Sequence, residues 1–287
     1  MNRLLLLIIL IASTTQGATY RTANFVVDAE DPETACSIAF VAEGTRKAVS
    51  KELTGQDMPD WHSPVRIHAR MSAEHRGVTN TLKEPSGQVV LQWIDLLGTT
   101  SEQIEYTTHE VCHAVLHRVY GPGVPPKWCD EGFAVRYEAE PAKRGRDGSG
   151  WGRGSLPLLF DATDYPVEWR EFYSQSYSVT EFLISEYSAG LFLRFVQRAP
   201  TYGYGAASQE TFGLGLDELE RRWRAWHGDR FGWPATQTAA REAGLPGGGH
   251  GPGARQRGRV AASFDAGADP AGPVRPRSDP QADQHRQ

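Results

Sequence analysis

The stretch HEVCHAVLHRVYGPGVPPKWCDEG, residues 109–132, limits this chain more than any other part of it, because it brings together three histidines, two glutamates, an aspartate and two cysteines. Four residues apart on a helix, His109 and His113 lie one above the other on a single face, so their imidazoles converge on one point. Glu110 is rotated from His109 by about 100°. That removes it from the shared coordination position and leaves it within reach of a water beside that point. Composition alone yields the pattern HExxH in roughly one or two chains in a hundred of this length. The neighbouring residues must therefore decide whether an ion is held.

A zinc ion needs a third protein ligand and, for chemistry, an open fourth position. A histidine six residues beyond His113, preceded by a glycine, would be one source, but those positions hold Val119 and Leu116. His117 lies eight residues from His109, about 80° off its direction on a helix. Glu131 remains. The segment YGPGVPPK turns the chain, and WCDEGFAV, as an antiparallel helix, presents a carboxylate to the same point. His109, His113 and Glu131, with one position left to water, have the composition of a catalytic Zn2+ site.

The rest of the folded part reads as strands first and helices after, an α+β arrangement. TANFVVD (22–28) is a strand-like run, and VRIHARM (65–71) alternates. GQVVLQWIDL (87–96) is a third strand without clean alternation, joined to the second by a polar hairpin or extended loop over 72–86. Between the first two, Asp31 caps a helix with Pro32 at its first position and Gly55 at its end, its apolar stripe being Ile38, Ala42, Val49 and Leu53. Helices follow over about 102–121, from Pro126 to about Glu140, one or two over 173–197, and a last one with Asp217 as cap, Glu220 as its box partner and Gly228 as its stop. Residues 144–155 are too rich in glycine for regular structure.

The ends shorten the folded domain. Residues 1–17 carry Arg3, an apolar run from Leu4 to Ala12 and then small polar residues. This is the pattern of a signal peptide and implies an extracytoplasmic location, periplasmic or secreted. No later run is long enough to span a bilayer. Residues 246–287 are dominated by Gly, Pro, Arg, Asp and Gln and read as a disordered tail, which leaves 20–233 as the domain. A net charge of −5 offers no field for nucleic acid. Three cysteines, Cys36, Cys112 and Cys129, do not make a disulfide scaffold; a Cys112–Cys129 bridge and three buried thiols are both open. The oligomeric state is not legible.

Three elements in order, HExxH, a 17-residue interval and the glutamate of W-x-x-E-G-x-A, resemble the zinc metallopeptidases whose third ligand is a glutamate, the gluzincins. The likeness is greatest to their compact peptidase MA-like members, including exported ones from planctomycete-type bacteria. The resemblance implies a zincin-like, thermolysin-like catalytic domain with a small N-terminal sheet and a helical half holding the metal. It implies Zn2+ on His109, His113 and Glu131, Glu110 as general base, Asp130 as a carboxylate behind the histidines, and a peptide or protein substrate. It further implies a tyrosine that stabilises the oxyanion: Tyr173 in YSQSYSVTEFL, with Tyr177, one turn later, as its rival. The family's substrate-pairing edge strand maps onto 88–95, although these residues by themselves read rather as an ordinary core strand. No G-x-M-E-N motif precedes the zinc helix, so the expected activity is endopeptidase-like. The opposing expectation is an inactive module in which zinc only clasps two helices.

Overall fold

The computed structural model describes residues 17–139, 155–166 and 169–231. The expected signal peptide (apart from residue 17), nearly all of the glycine-rich segment and the C-terminal tail lie outside these residues.

One sheet and a set of helices form a mixed α+β fold, with the sheet at the N-terminal end of the chain. Strands β1 (Ala18–Arg21), β2 (Phe25–Ala29), β3 (Val65–Arg70), β4 (Arg76–Lys83) and β5 (Val89–Leu97) are arranged in the order β1-β2-β3-β5-β4. β2, β3 and β5 run parallel, while β1 and β4 are antiparallel edges. A parallel β2–β3 pair needs a crossover, and α1 (Pro32–Thr54) supplies it. Its start is fixed by Asp31, whose Oδ1 accepts from the Thr34 N–H at 2.8 Å, and its end by Gly55 at φ 75°. Alternation then sorts the strands: Phe25, Val27, Val65, Ile67, Ile94 and Leu96 are fully buried beneath the helices.

Among the described residues seven helices follow: α2 (Thr100–Tyr120), α3 (Lys127–Val135), α4 (Leu156–Phe160), α5 (Trp169–Glu186), α6 (Ala189–Tyr202), α7 (Tyr204–Phe212) and α8 (Leu216–Phe231). Among the described residues no helix is long and apolar enough to cross a membrane. Trp128, fully buried near the start of α3, packs against Phe160, Phe192 and Phe195 and donates its indole N–H to the Tyr204 hydroxyl at 3.1 Å. That aromatic cluster locks α3 against the helical half.

Several expectations change here. The polar segment 72–86 contains β4, so β5 lies between β3 and β4 and is not an edge. This also explains its poor alternation. α3 stops at Val135, short of Glu140: from Arg136 to Glu138 the backbone bonds tighten to i→i−3 turns, and the Arg136 side chain pairs with Glu52 at 2.7 Å and Glu181 at 2.6 Å. α8 begins at Leu216, and the Leu219 N–H already bonds the Gly215 carbonyl. Asp217 is therefore in the first turn, not the cap, and Gly228 is interior. α4 and α7 were too short and too weakly patterned to be read. The cysteines are free thiols; Cys112 and Cys129 are buried and unjoined.

One buried group gives the fold a pH dependence. In α8, His227 is 6 % exposed, and its Nδ1 lies 3.0 Å from Ser178 Oγ, which also accepts the Trp223 indole N–H. Burial, with Arg224 nearby, lowers the His227 pKa from 6.5 to about 4. A depressed folded pKa contributes stability above pH 6.5 and loses it as the pH falls through 4, by at most roughly 3 kcal/mol. Chemical denaturation at pH 7 and pH 4 should show a steeper loss for wild type than for His227→Gln. Parallel curves would contradict the assignment.

Candidate metal centre

The helix that carries the histidines is held firmly at its start. Thr99 and Glu102 form a reciprocal capping box, and Glu102 Oε2 also meets His75 Nδ1 at 2.9 Å. The Thr99 bonds hold the Glu102 carboxyl down at about 2. Because His75 directly precedes β4, this bond ties the edge strand to the head of α2.

Ligand atoms of His109, Glu110 and His113 lie within 4.8 Å of one another, the only such group among the described residues. Glu131 Oε2 enters the same space, 3.4 Å from His109 Nε2 and 3.7 Å from His113 Nε2. It is buried and has no hydrogen-bond partner. Tetrahedral zinc with bonds of about 2.0–2.1 Å sets its ligand atoms about 3.4 Å apart, so these two separations suit one ion. Two triples are thus on offer. Glu131 fits better than Glu110, because Glu110 Oε2 already accepts the Thr79 hydroxyl at 2.7 Å.

Each imidazole is oriented from behind by a carboxylate. His109 Nδ1 meets Glu138 Oε1 at 2.8 Å, and His113 Nδ1 meets Asp130 Oδ1 at 2.7 Å. These contacts leave Nε2 facing the cluster, the arrangement that raises ligand basicity. Asp130 also takes His117 Nε2 at 3.0 Å, so His117 stands behind the cluster and not in it. Burial works to lower the histidine pKa values, but Glu131 and Glu138 raise His109 to about 10, and Asp130 and Glu131 raise His113 to about 9. At neutral pH the metal-free cradle therefore carries protons, which a cation must displace.

Glu110 borders the cluster on the side of the edge strand. Besides Thr79, it meets Gly77 so closely that a Cβ there would lie 2.6 Å from Oε1. Burial pushes its pKa up, with His113, His109 and Thr79 pulling against it. Such a carboxylate is suited to holding a proton in transit.

Tyr165 is a site residue that no sequence pattern singled out. Its hydroxyl donates a short hydrogen bond to Glu131 Oε1, leaving only Oε2 for an ion. Lys127 Nζ sits 4.4 Å from the centre of its ring. Tyr173 stacks on Tyr165 with centroids 6.1 Å apart and shares a hydrogen bond with it. Tyr173 is thus placed one hydroxyl away from Glu131. Glu138, in the turn after α3, was missed as well.

Gly132 explains why a glycine follows the third candidate ligand. α5 crosses α3 at this point, and a Cβ on Gly132 would lie 2.2 Å from the Ser176 carbonyl oxygen and 2.5 Å from Thr180 Oγ1. Backbone cannot yield at that distance. Gly132→Ala should cost about 2–3 kcal/mol through overpacking and should loosen metal retention as Glu131 shifts. Gly44→Ala, facing open space on α1, should instead be neutral or stabilise by about 0.5–1 kcal/mol. Urea unfolding of both variants checks the contrast.

Comparison with protein-family models finds no match for this chain, and comparison with the curated proteins finds no significant relative.

Proposed function

We propose that this chain is a zinc-dependent peptide-bond hydrolase of gluzincin type, built on a thermolysin-like catalytic domain. The observation that carries the reading is Glu131 Oε2, buried, unpartnered and shared between two imidazole nitrogens. His109, His113 and Glu131 would hold the ion. When bound, zinc polarises a scissile carbonyl and lowers the pKa of a coordinated water from 15.7 to about 7. Glu110 takes the proton from the attacking water and passes it to the leaving amine, held in line by Thr79 and Gly77. Tyr173 donates its hydroxyl to the developing oxyanion, a kind of contact whose removal costs roughly 3 kcal/mol. Tyr165 keeps Glu131 in a one-oxygen binding mode.

The edge strand supports a peptide substrate. β4 has a strand neighbour on one side only, and Gly77 and Thr79 sit against Glu110. A peptide extended along β4 by backbone pairing would run past the general base. β4 takes the place that the sequence reading gave to 88–95. An exported enzyme acting outside the cytoplasm is consistent with the N-terminal apolar run.

The test is direct. Purified protein should contain close to one zinc per chain and cleave members of a broad peptide library. Chelation should stop cleavage, and added zinc should restore it. If zinc-loaded protein cleaves nothing while chelation lowers the melting temperature, the site is a structural clasp.

A further inference from the structure

A second cavity, of about 200 Å3, shares no lining residue with the metal centre. It exists because β5 outruns β3. Their pairing begins at Arg66↔Trp93, so along 89–92 the β3-facing side of β5 has no strand neighbour. Residues 62–64 form the facing wall, and Arg118 enters from the last turn of α2.

Arg118 is held in place by two neighbours and, among the described residues, forms no ion pair. Its guanidinium lies 4.1 Å from the Trp61 ring centroid, and its Nε donates to Gln92 Oε1 at 2.9 Å. Gln92 is itself fixed, donating to Thr81 Oγ1 at 2.8 Å and to the Ala114 carbonyl at 3.1 Å. Among the described residues that single hydrogen bond is all the Arg118 side chain makes, and it joins no ion pair. Burial lowers its pKa to about 10. Its two terminal amino groups remain as a fork, the shape that matches a carboxylate.

The walls define the rest of the ligand. Pro64, Val89, Val90 and Leu91 are apolar, and Val90 and Leu91 are more than half exposed. Glu84 also lines the cavity, so a doubly charged phosphate is opposed more strongly than a single carboxylate. The unpaired side of β5 offers backbone groups to an extended chain.

We propose that this cavity binds the free C-terminal carboxylate of a peptide ending in an apolar residue, with Arg118 as the fork and β5 as the pairing edge. The site stands whether or not the metal centre is catalytic. The test uses isotope-labelled, zinc-loaded full-length chain, followed by NMR during titration with N-acetyl-Ala-Leu as free acid and as amide. The acid should bind with Kd on the order of 0.1–1 mM. It should move the Arg118 Nε–H, the Trp61 indole N–H and the amides of 89–92. The amide should bind at least about tenfold more weakly, the worth of one charge-assisted hydrogen bond. Arg118→Gln should lose acid binding to a similar degree, and the acid–amide comparison needs no variant to fold. Equal binding of acid and amide, or shifts centred on His109 and His113, would overturn the proposal. So would inorganic phosphate moving these signals where the peptide acid does not.

Discussion

Glu110→Gln is expected to abolish peptide hydrolysis, by about a thousandfold or more, while the protein keeps its zinc and its melting temperature. The amide preserves the shape of the side chain and can still meet the Thr79 hydroxyl, so the wall against β4 stays intact. What it loses is the ability to accept and return a proton. The three candidate ligands are left unchanged, because Glu110 is held by Thr79 on the edge strand while Glu131 meets both imidazoles. Steady-state kinetics beside metal analysis of the same preparation decides the point. A Glu110→Gln chain that hydrolyses peptides like wild type would remove the proposed base. A chain that loses zinc would make Glu110 a ligand.

The second large effect is on metal retention. Glu131→Ala should release zinc almost completely, since it removes the one buried carboxylate oxygen that meets both Nε2 atoms and has nothing else to bond. His117→Ala should retain it, because His117 reaches only the far oxygen of Asp130. Asp130→Asn and Glu138→Gln belong between these extremes, with affinity down about 10–100-fold as the imidazoles lose their orienting partners. Competition with a chromophoric chelator measures all four on one scale. If His117→Ala released the metal and Glu131→Ala did not, the ligand assignment would be reversed.

The residues that matter for the cluster were legible wherever helical geometry alone set their positions. His109, Glu110 and His113 share one helix, and their mutual placement follows from its pitch. Asp130 and Glu131 followed once a turn and a second helix were granted. Glu138 and Tyr165 were not legible. Glu138 arrives through a turn that follows Arg136, whose side chain is held by Glu52 and Glu181, contacts 84 and 45 residues away in sequence. Tyr165 arrives from a loop with no periodicity at all. The same division holds for the fold. α1 declared itself by cap, stripe and stop, whereas β4 was hidden, since an edge strand with polar residues on both faces resembles a loop. With β4 unread, β5 could be matched to the family's edge strand, although its own residues favoured an ordinary core strand, which is what it is.

The nine residues of α3 are fixed at three levels: Trp128 in the aromatic cluster, Gly132 under α5, and the adjoining Arg136 between two glutamates. Nothing in that segment can open without parting the helical half. β4 has the opposite character, with one strand neighbour and much of its surface in solvent. Under native-state hydrogen exchange the α3 amides should therefore exchange only when the whole domain unfolds, and those of β4 through local fraying. The part of the site that grips the ion and the part that would meet a substrate then belong to different tiers of stability, so accommodating varied chains at the edge need not disturb the cradle.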